Sequence, residues 1–438
     1  MENENLICRK LKIKIFMNKK PFILRRLWNF MISVGPGFFL IGYSIGTGSV
    51  VSMASAGSRY GMTLLWGLAL ACIFSFVMLE AYGRYSLVTK EGALNAYKKH
   101  LSFLGRPIAW ITLIGLIIVE ILALAGIMGI ISDLIREWSN LLFAGQAWSP
   151  LWIAVTVIVI VYTLLLLGEY SFFEKVLIIF VSIMGISFIL TMFLVLPEPA
   201  ALAEGLIPTI PPEANAPMII AALVGTTLTA PTFVVRSVLM KEKKWTLKHL
   251  KHQRKDALVA AVLMFIVSGS VMACAAGTLY LVDKPVEEVI TMVNLLEPLL
   301  GKLALSVFIM GILGAALSSI FPIVMLAPLL IGDYRDRPIN YKGPLFRLLS
   351  GGGLLFGLVV PILGARPVFA MLISQLFQIF VLPVVVVVII YLLNRKDLMG
   401  EYKAGIWLNT GLILTLIFSL VISYQSVVGL SESFHTMF

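Results

Sequence analysis

Charge is what this sequence lacks most. Acidic and basic residues together make up 13% of its 438 residues, about half the share usual in a soluble domain. Apolar residues reach 59% and the mean hydropathy is +0.98. So few charges cannot cover a water-facing surface, which implies an all-α polytopic membrane protein with no room for a sizeable soluble domain. Cysteine is scarce too: Cys8, Cys72 and Cys274 are scattered, and the last two sit in apolar runs. That excludes a disulfide framework and a zinc site. His249 and His252 lie in a basic loop without cysteine or carboxylate partners, so no enzymatic constellation and no cofactor is expected. Neither is a cleavable leader, since no convincing cleavage site follows the basic tail; Met17-Asn18-Lys19-Lys20 would also make an ordinary start.

The net charge of +11 does not point to nucleic acid, because the basic residues fall in loops and in the tail, the pattern that orients a membrane protein. Residues 1–26 form a basic tail expected in the cytoplasm. Hydropathy predicts about eleven spanning helices, near 27–56, 62–88, 107–131, 150–167, 173–196, 218–240, 257–282, 303–331, 345–363, 368–393 and 404–424. The loop Lys90–His100 is basic, and so is Lys241–Lys255, with seven Lys and Arg. The second reads as a cytoplasmic loop that obeys the orientation rule, ahead of a lipid-binding patch. The stretches Ser132–Pro150, with Trp138 and Trp148, Pro197–Pro217, without Lys or Arg, and the one holding Glu287, Glu288 and Glu297 read as external loops. The chain therefore sits in the cell membrane with its N-terminus inside.

Two segments carry helix breakers in mid-membrane. The first holds Gly46-Thr47-Gly48-Ser49, and the sixth holds Gly225-Thr226-Thr227-Leu228-Thr229-Ala230-Pro231-Thr232. Glycine weakens a helix and an internal proline removes a backbone donor and kinks it. Open backbone at that depth is tolerable only inside protein or along a polar cavity; the bland alternative is a glycine-lined packing seam. Paired breaks five segments apart imply two inverted five-helix repeats, 27–197 and 218–393, joined by a loop at 198–217 and followed by an eleventh helix and tail at 394–438. Matching breaks point to a midplane substrate site and alternating access. Glu120 stands alone in the third segment, a functional position by default. Glu80 has a simpler reading as the partner of Arg84, one turn on, and the 19 methionines read as packing residues.

Gly35-Pro36-Gly37-Phe38, the break that follows, and Ala56-Gly57-Ser58-Arg59-Tyr60-Gly61 with Leu64-Leu65-Trp66 resemble the first helix of the NRAMP family of divalent-metal transporters. Gly205-Leu206-Ile207-Pro208, Ser374-Gln375, Leu382-Pro383 and Asp397-Leu398-Met399-Gly400 are similar to later blocks. The resemblance runs from about Leu27 to Ile422 and implies the LeuT-type 5+5 fold. The binding motifs depart. Where the family reads Asp-Pro-Gly-Asn stand Gly46, Thr47, Gly48 and Ser49. Where it reads Met-Pro-His stand Ala230, Pro231 and Thr232, and a second family histidine falls near Arg236. Glu120 matches the third-helix acid of the family's proton route, its companion is replaced by Ala123, and Gln375 matches the tenth-helix position.

Transition metals prefer anionic, imidazole or sulfur ligands. What these positions offer is neutral oxygen, from backbone carbonyls, Thr47, Ser49, Thr229, Thr232 and Gln375. Thr226 and Thr227 read equally well as hydroxyls bonded to their own helix. Such oxygens suit a hard, partly hydrated ion such as magnesium. The expected function is an NRAMP-like secondary transporter of a divalent cation, with Glu120 as the candidate for proton coupling. An ion-coupled carrier of a small organic solute, or a non-transporting sensor or channel, stays open. The expected partners are that cargo and membrane lipid.

Overall fold

The computed structural model describes residues 41–437 apart from 143–147, 167–169, 196–197, 214, 281–288 and 365–366. Gly35–Phe38, the tail, the start of the first segment, Gly168-Glu169 and the Glu287-Glu288 pair lie outside the described residues. Within them every regular element is a helix. In chain order these are α1 (Thr47–Tyr60), α2 (Leu65–Thr89), α3 (Ala93–His100), α4 (Gly105–Leu142), α5 (Pro150–Leu166) and α6 (Tyr170–Leu194). There follow α7 (Pro199–Glu204), α8 (Ala216–Thr227), α9 (Ala230–Glu242), α10 (Leu250–Thr278) and α11 (Val289–Tyr334). The last are α12 (Pro344–Phe356), α13 (Val359–Leu363), α14 (Pro367–Asn394), α15 (Lys396–Met399) and α16 (Ile406–Met437).

Nine helical segments among the described residues are long and apolar enough to cross a membrane. The 17-residue α5 is a tenth apolar helix, at the short end of spanning length. The window Ala216–Glu242, which contains α8 and α9, is 94% buried, against 22% for Ile406–Val427. The sixth segment is thus the centre of the molecule and the eleventh lies at its edge. Around that centre α4 packs along α14, α11 along α6, and α10 along both α1 and α2.

Both expected breaks are present, each slightly displaced. The first falls at Ile45-Gly46, and Thr47–Ser49 already belong to α1. Gly46 is the extended residue before the helix, at φ −82° and ψ −170°, and the ladder resumes with Val50 N–H donating to Gly46 O at 3.1 Å. A Cβ at Gly46 would run into Ser319 Oγ of α11, so this position requires glycine for space. The second break is Leu228-Thr229. Pro231 lies in the first turn of α9, where its missing N–H would have had no partner anyway. It opens a half-helix rather than kinking a continuous one.

Several loops are more ordered than hydropathy implied. Lys90–His100 contains α3, whose first N–H groups find acceptors on other helices: Ala93 N–H donates to Ser237 Oγ at 2.8 Å and Leu94 N–H to Asp333 Oδ2 at 2.9 Å. Ser132–Leu142 continues α4, and Glu297 falls within α11, because both helices extend well beyond the apolar core that hydropathy detects. Gly57–Tyr60 is helical, and the turn comes at Gly61, which adopts φ +58°. The ninth segment is two pieces, α12 and α13, and α10 begins at Leu250, inside the basic loop.

Candidate functional site

A helix start leaves N–H groups without intrahelical acceptors, and a helix end leaves carbonyls. Two broken segments meeting at mid-depth therefore gather backbone dipoles of both signs. Between them lies a cavity of about 30 Å³, room for roughly two water-sized species. Gly46, Thr47, Gly48 and Ser49 line it from α1 and its cap, Thr226 from the end of α8, Thr229 from the second break, Gln375 from α14 and Glu120 from α4. Ala230, Pro231 and Thr232 stand one layer back. The Thr232 hydroxyl is held by Thr229 Oγ1 at 2.5 Å and by Ser44 Oγ at 3.3 Å.

Polar satisfaction divides these residues sharply. Thr226 and Thr227 donate to Leu223 O at 3.1 and 3.3 Å, so their hydroxyls are taken up by their own helix. Ser49 Oγ pairs with Ser268 Oγ at 3.1 Å. Three oxygens at the cavity have no partner although they are buried: Thr47 Oγ1, Gln375 Oε1 and Gln378 Oε1. Buried polar groups in folded proteins are nearly always paired, so these three oxygens around one void are open to a contact from whatever fills it. Glu120 is held by a hydrogen bond from the Tyr43 hydroxyl.

Sequence reasoning missed Tyr43, Ser44, Ser319 and Gln378. Gln378 follows Gln375 by three residues, which puts both on one helix face. Tyr43 and Ser44 immediately precede the break, and Ser319 closes it by donating to Gly42 O at 3.0 Å. Arg236 is fully buried away from the cavity lining. Its guanidinium reaches Asp256 Oδ2 at 2.5 Å and Gln253 O at 3.1 Å. Gln253 Nε2 in turn donates to Glu80 Oε2 at 2.5 Å, and Glu80 pairs with Arg84 at 2.7 Å. The expected Glu80–Arg84 pair is thus one end of a network joining α2, α9 and α10. Among the described residues no group of three or more His, Cys, Asp and Glu side chains converges to hold a metal ion.

The family model described as "Natural resistance-associated macrophage protein-like" (Nramp) matches residues 37–429. The chain belongs to the Nramp family. A curated relative, the "Divalent metal cation transporter MntH" of Verminephrobacter eiseniae, is 24% identical over 395 residues, covering 87% of this chain and 84% of that one. Among solved structures, a manganese transporter of Eremococcus coleocola superposes with a TM-score of 0.75 at 16% identity, covering 93% of this chain and 87% of that chain. MhsT, solved with L-phenylalanine, superposes at 0.61 with 14% identity over 91% and 97% of the two chains. These likenesses give this Nramp protein the LeuT-type fold. Within that frame its two breaks are kept, while the acid, amide, thioether and imidazole that the family resemblance assigns to them are replaced by glycine, serine, alanine and threonine.

Proposed function

We propose that this Nramp protein is a secondary transporter, not an enzyme, and that it moves a hard divalent cation such as magnesium across the cell membrane. The observation that carries the reading is the set of three orphan oxygens, Thr47 Oγ1, Gln375 Oε1 and Gln378 Oε1, around a void of about 30 Å³. Neutral oxygen ligands suit an ion that keeps part of its water shell. They hold manganese less well than a site with sulfur or imidazole would. The volume also weighs against an organic solute in this conformation, since two water-sized species fill it. The names of the curated relatives support a divalent metal as cargo.

The half-helices α1 and α9 start at the cavity, so rocking one five-helix repeat (27–197) against the other (218–393) would open it to one face at a time. Glu120 is the coupling residue in this reading. Among the described residues it is the one carboxylate of the lining, and an intramembrane acid held by a tyrosine hydroxyl suits proton or cation exchange. The N-terminus faces the cytoplasm, in keeping with the basic loops. The test is ion uptake by the purified protein in liposomes. Magnesium uptake should exceed that of manganese at equal concentration, and Glu120→Gln should abolish any pH dependence. Manganese transport equal to or faster than magnesium transport would defeat the choice of ion.

A further inference from the structure

Glu120 also lines a second cavity, of about 220 Å³, between α4, α11 and α12. Its remaining walls are apolar, with Ile117 and Ile121 on α4, Val324 on α11, and Leu348 and Phe356 on α12. Leu348 and Phe356 are 74% and 50% exposed, and the spanning window that contains α12 is 28% buried. The cavity is therefore a crevice open to the bilayer side, with a carboxylate as its polar contact.

Part of that crevice is made by Gly352 and Gly353, the last two of three successive glycines, Gly351-Gly352-Gly353, in α12. Glycine is the poorest helix former short of proline, although membrane-spanning helices carry it more often than soluble ones. Packing accounts for Gly351: a Cβ there would lie 3.2 Å from the Tyr162 ring. It does not account for the others, since a Cβ at Gly352 or Gly353 would meet nothing within 4 Å. Both line the crevice and keep its wall thin.

We propose that this crevice is a binding site for lipophilic amines, with the apolar body lodged between α4 and α12 and the ammonium group on Glu120. An apolar cavity of about 150 Å³ takes benzene, so 220 Å³ accommodates one ring and a short arm. Charge selects the head group, because an ammonium beside the carboxyl group offsets the cost of ionising it in an apolar setting, and a neutral hydroxyl does not. Such a ligand engages the carboxylate from the lipid side and inhibits ion movement without entering the ion cavity. The site depends on where Glu120 lies and not on the transport reading.

The probe is 2-phenylethylammonium, with the neutral 2-phenylethanol as control, and binding is read as thermal stabilisation of the purified full-length protein. The amine should bind at least tenfold more tightly than the alcohol. Gly353→Leu, which fills the open wall, should weaken the amine at least tenfold and leave magnesium uptake without amine unchanged. Gly352→Ala, a one-methyl change into open space, should weaken it several-fold and serves if the leucine variant does not fold. In liposomes the amine should inhibit uptake by the wild type and spare Gly353→Leu. Equal binding of amine and alcohol, or undiminished amine binding in both glycine variants, would overturn the site. Amine binding without any ion uptake would defeat the transport reading and leave the crevice intact.

Discussion

Gln378 carries an amide oxygen buried without a donor, and such a group costs about 1–3 kcal/mol relative to a satisfied one. In the proposed reading, an ion or its water in the cavity recovers that cost. Gln378→Met removes the orphan at similar volume. The ion-free protein should therefore melt at the same temperature or higher, while magnesium affinity falls about tenfold, equivalent to about 1.4 kcal/mol. A structural glutamine would behave the other way, losing stability with little effect on binding. Thermal melting with and without magnesium separates the two. Gln378 was overlooked because a single glutamine in an apolar run has no distinctive pattern; only its i+3 relation to Gln375 marks it. Thr226 and Thr227 illustrate the opposite case, since polar residues beside a break are still free to bond their own helix, as both do.

Broken helices were legible because glycine and proline act locally, and a membrane leaves few reasons to tolerate them. The exact point of each break was not, because it is fixed by contacts from elsewhere: Ser319 occupies the space a side chain at position 46 would need. The eight-residue α3 was invisible for the same reason, being anchored by Ser237 and Asp333 from distant segments. Asp256, just past the basic loop Lys241–Lys255, carries no distinctive mark in the sequence, yet it is the buried partner of Arg236. Removing one member of such a pair strands a charge in the interior, at a cost of about 3–5 kcal/mol. Asp256→Asn should thus lower the melting temperature strongly. Replacing both partners by apolar residues, Arg236→Met with Asp256→Leu, should restore much of the loss, because no charge is then left unpaired. Denaturation of the single and double variants checks this. A double variant as unstable as the single would mean that Gln253 and Glu80 depend on the arginine too.

For the molecule as a whole, sidedness follows from where Lys and Arg are placed. Residues 197–217 contain none, whereas 241–255 contain seven, so the window Ala216–Glu242 between them should cross the membrane once. Its 27 residues span about 40 Å at helical rise, enough for a core of about 30 Å with a two-residue interruption to spare. The chain's few cysteines make the crossing testable. Cys72 and Cys274 are buried, and Cys8→Ser leaves a background on which one exposed cysteine can be read alone. Lys251 and Glu204 are exposed and stand on opposite sides of α8 and α9. With a membrane-impermeant maleimide, Lys251→Cys should label only in inside-out vesicles and Glu204→Cys only in right-side-out ones. Labelling of both from one side would make the sixth segment re-entrant. The two breaks could then no longer face each other from inverted repeats, and a carrier that alternates between the two faces would lose its structural basis.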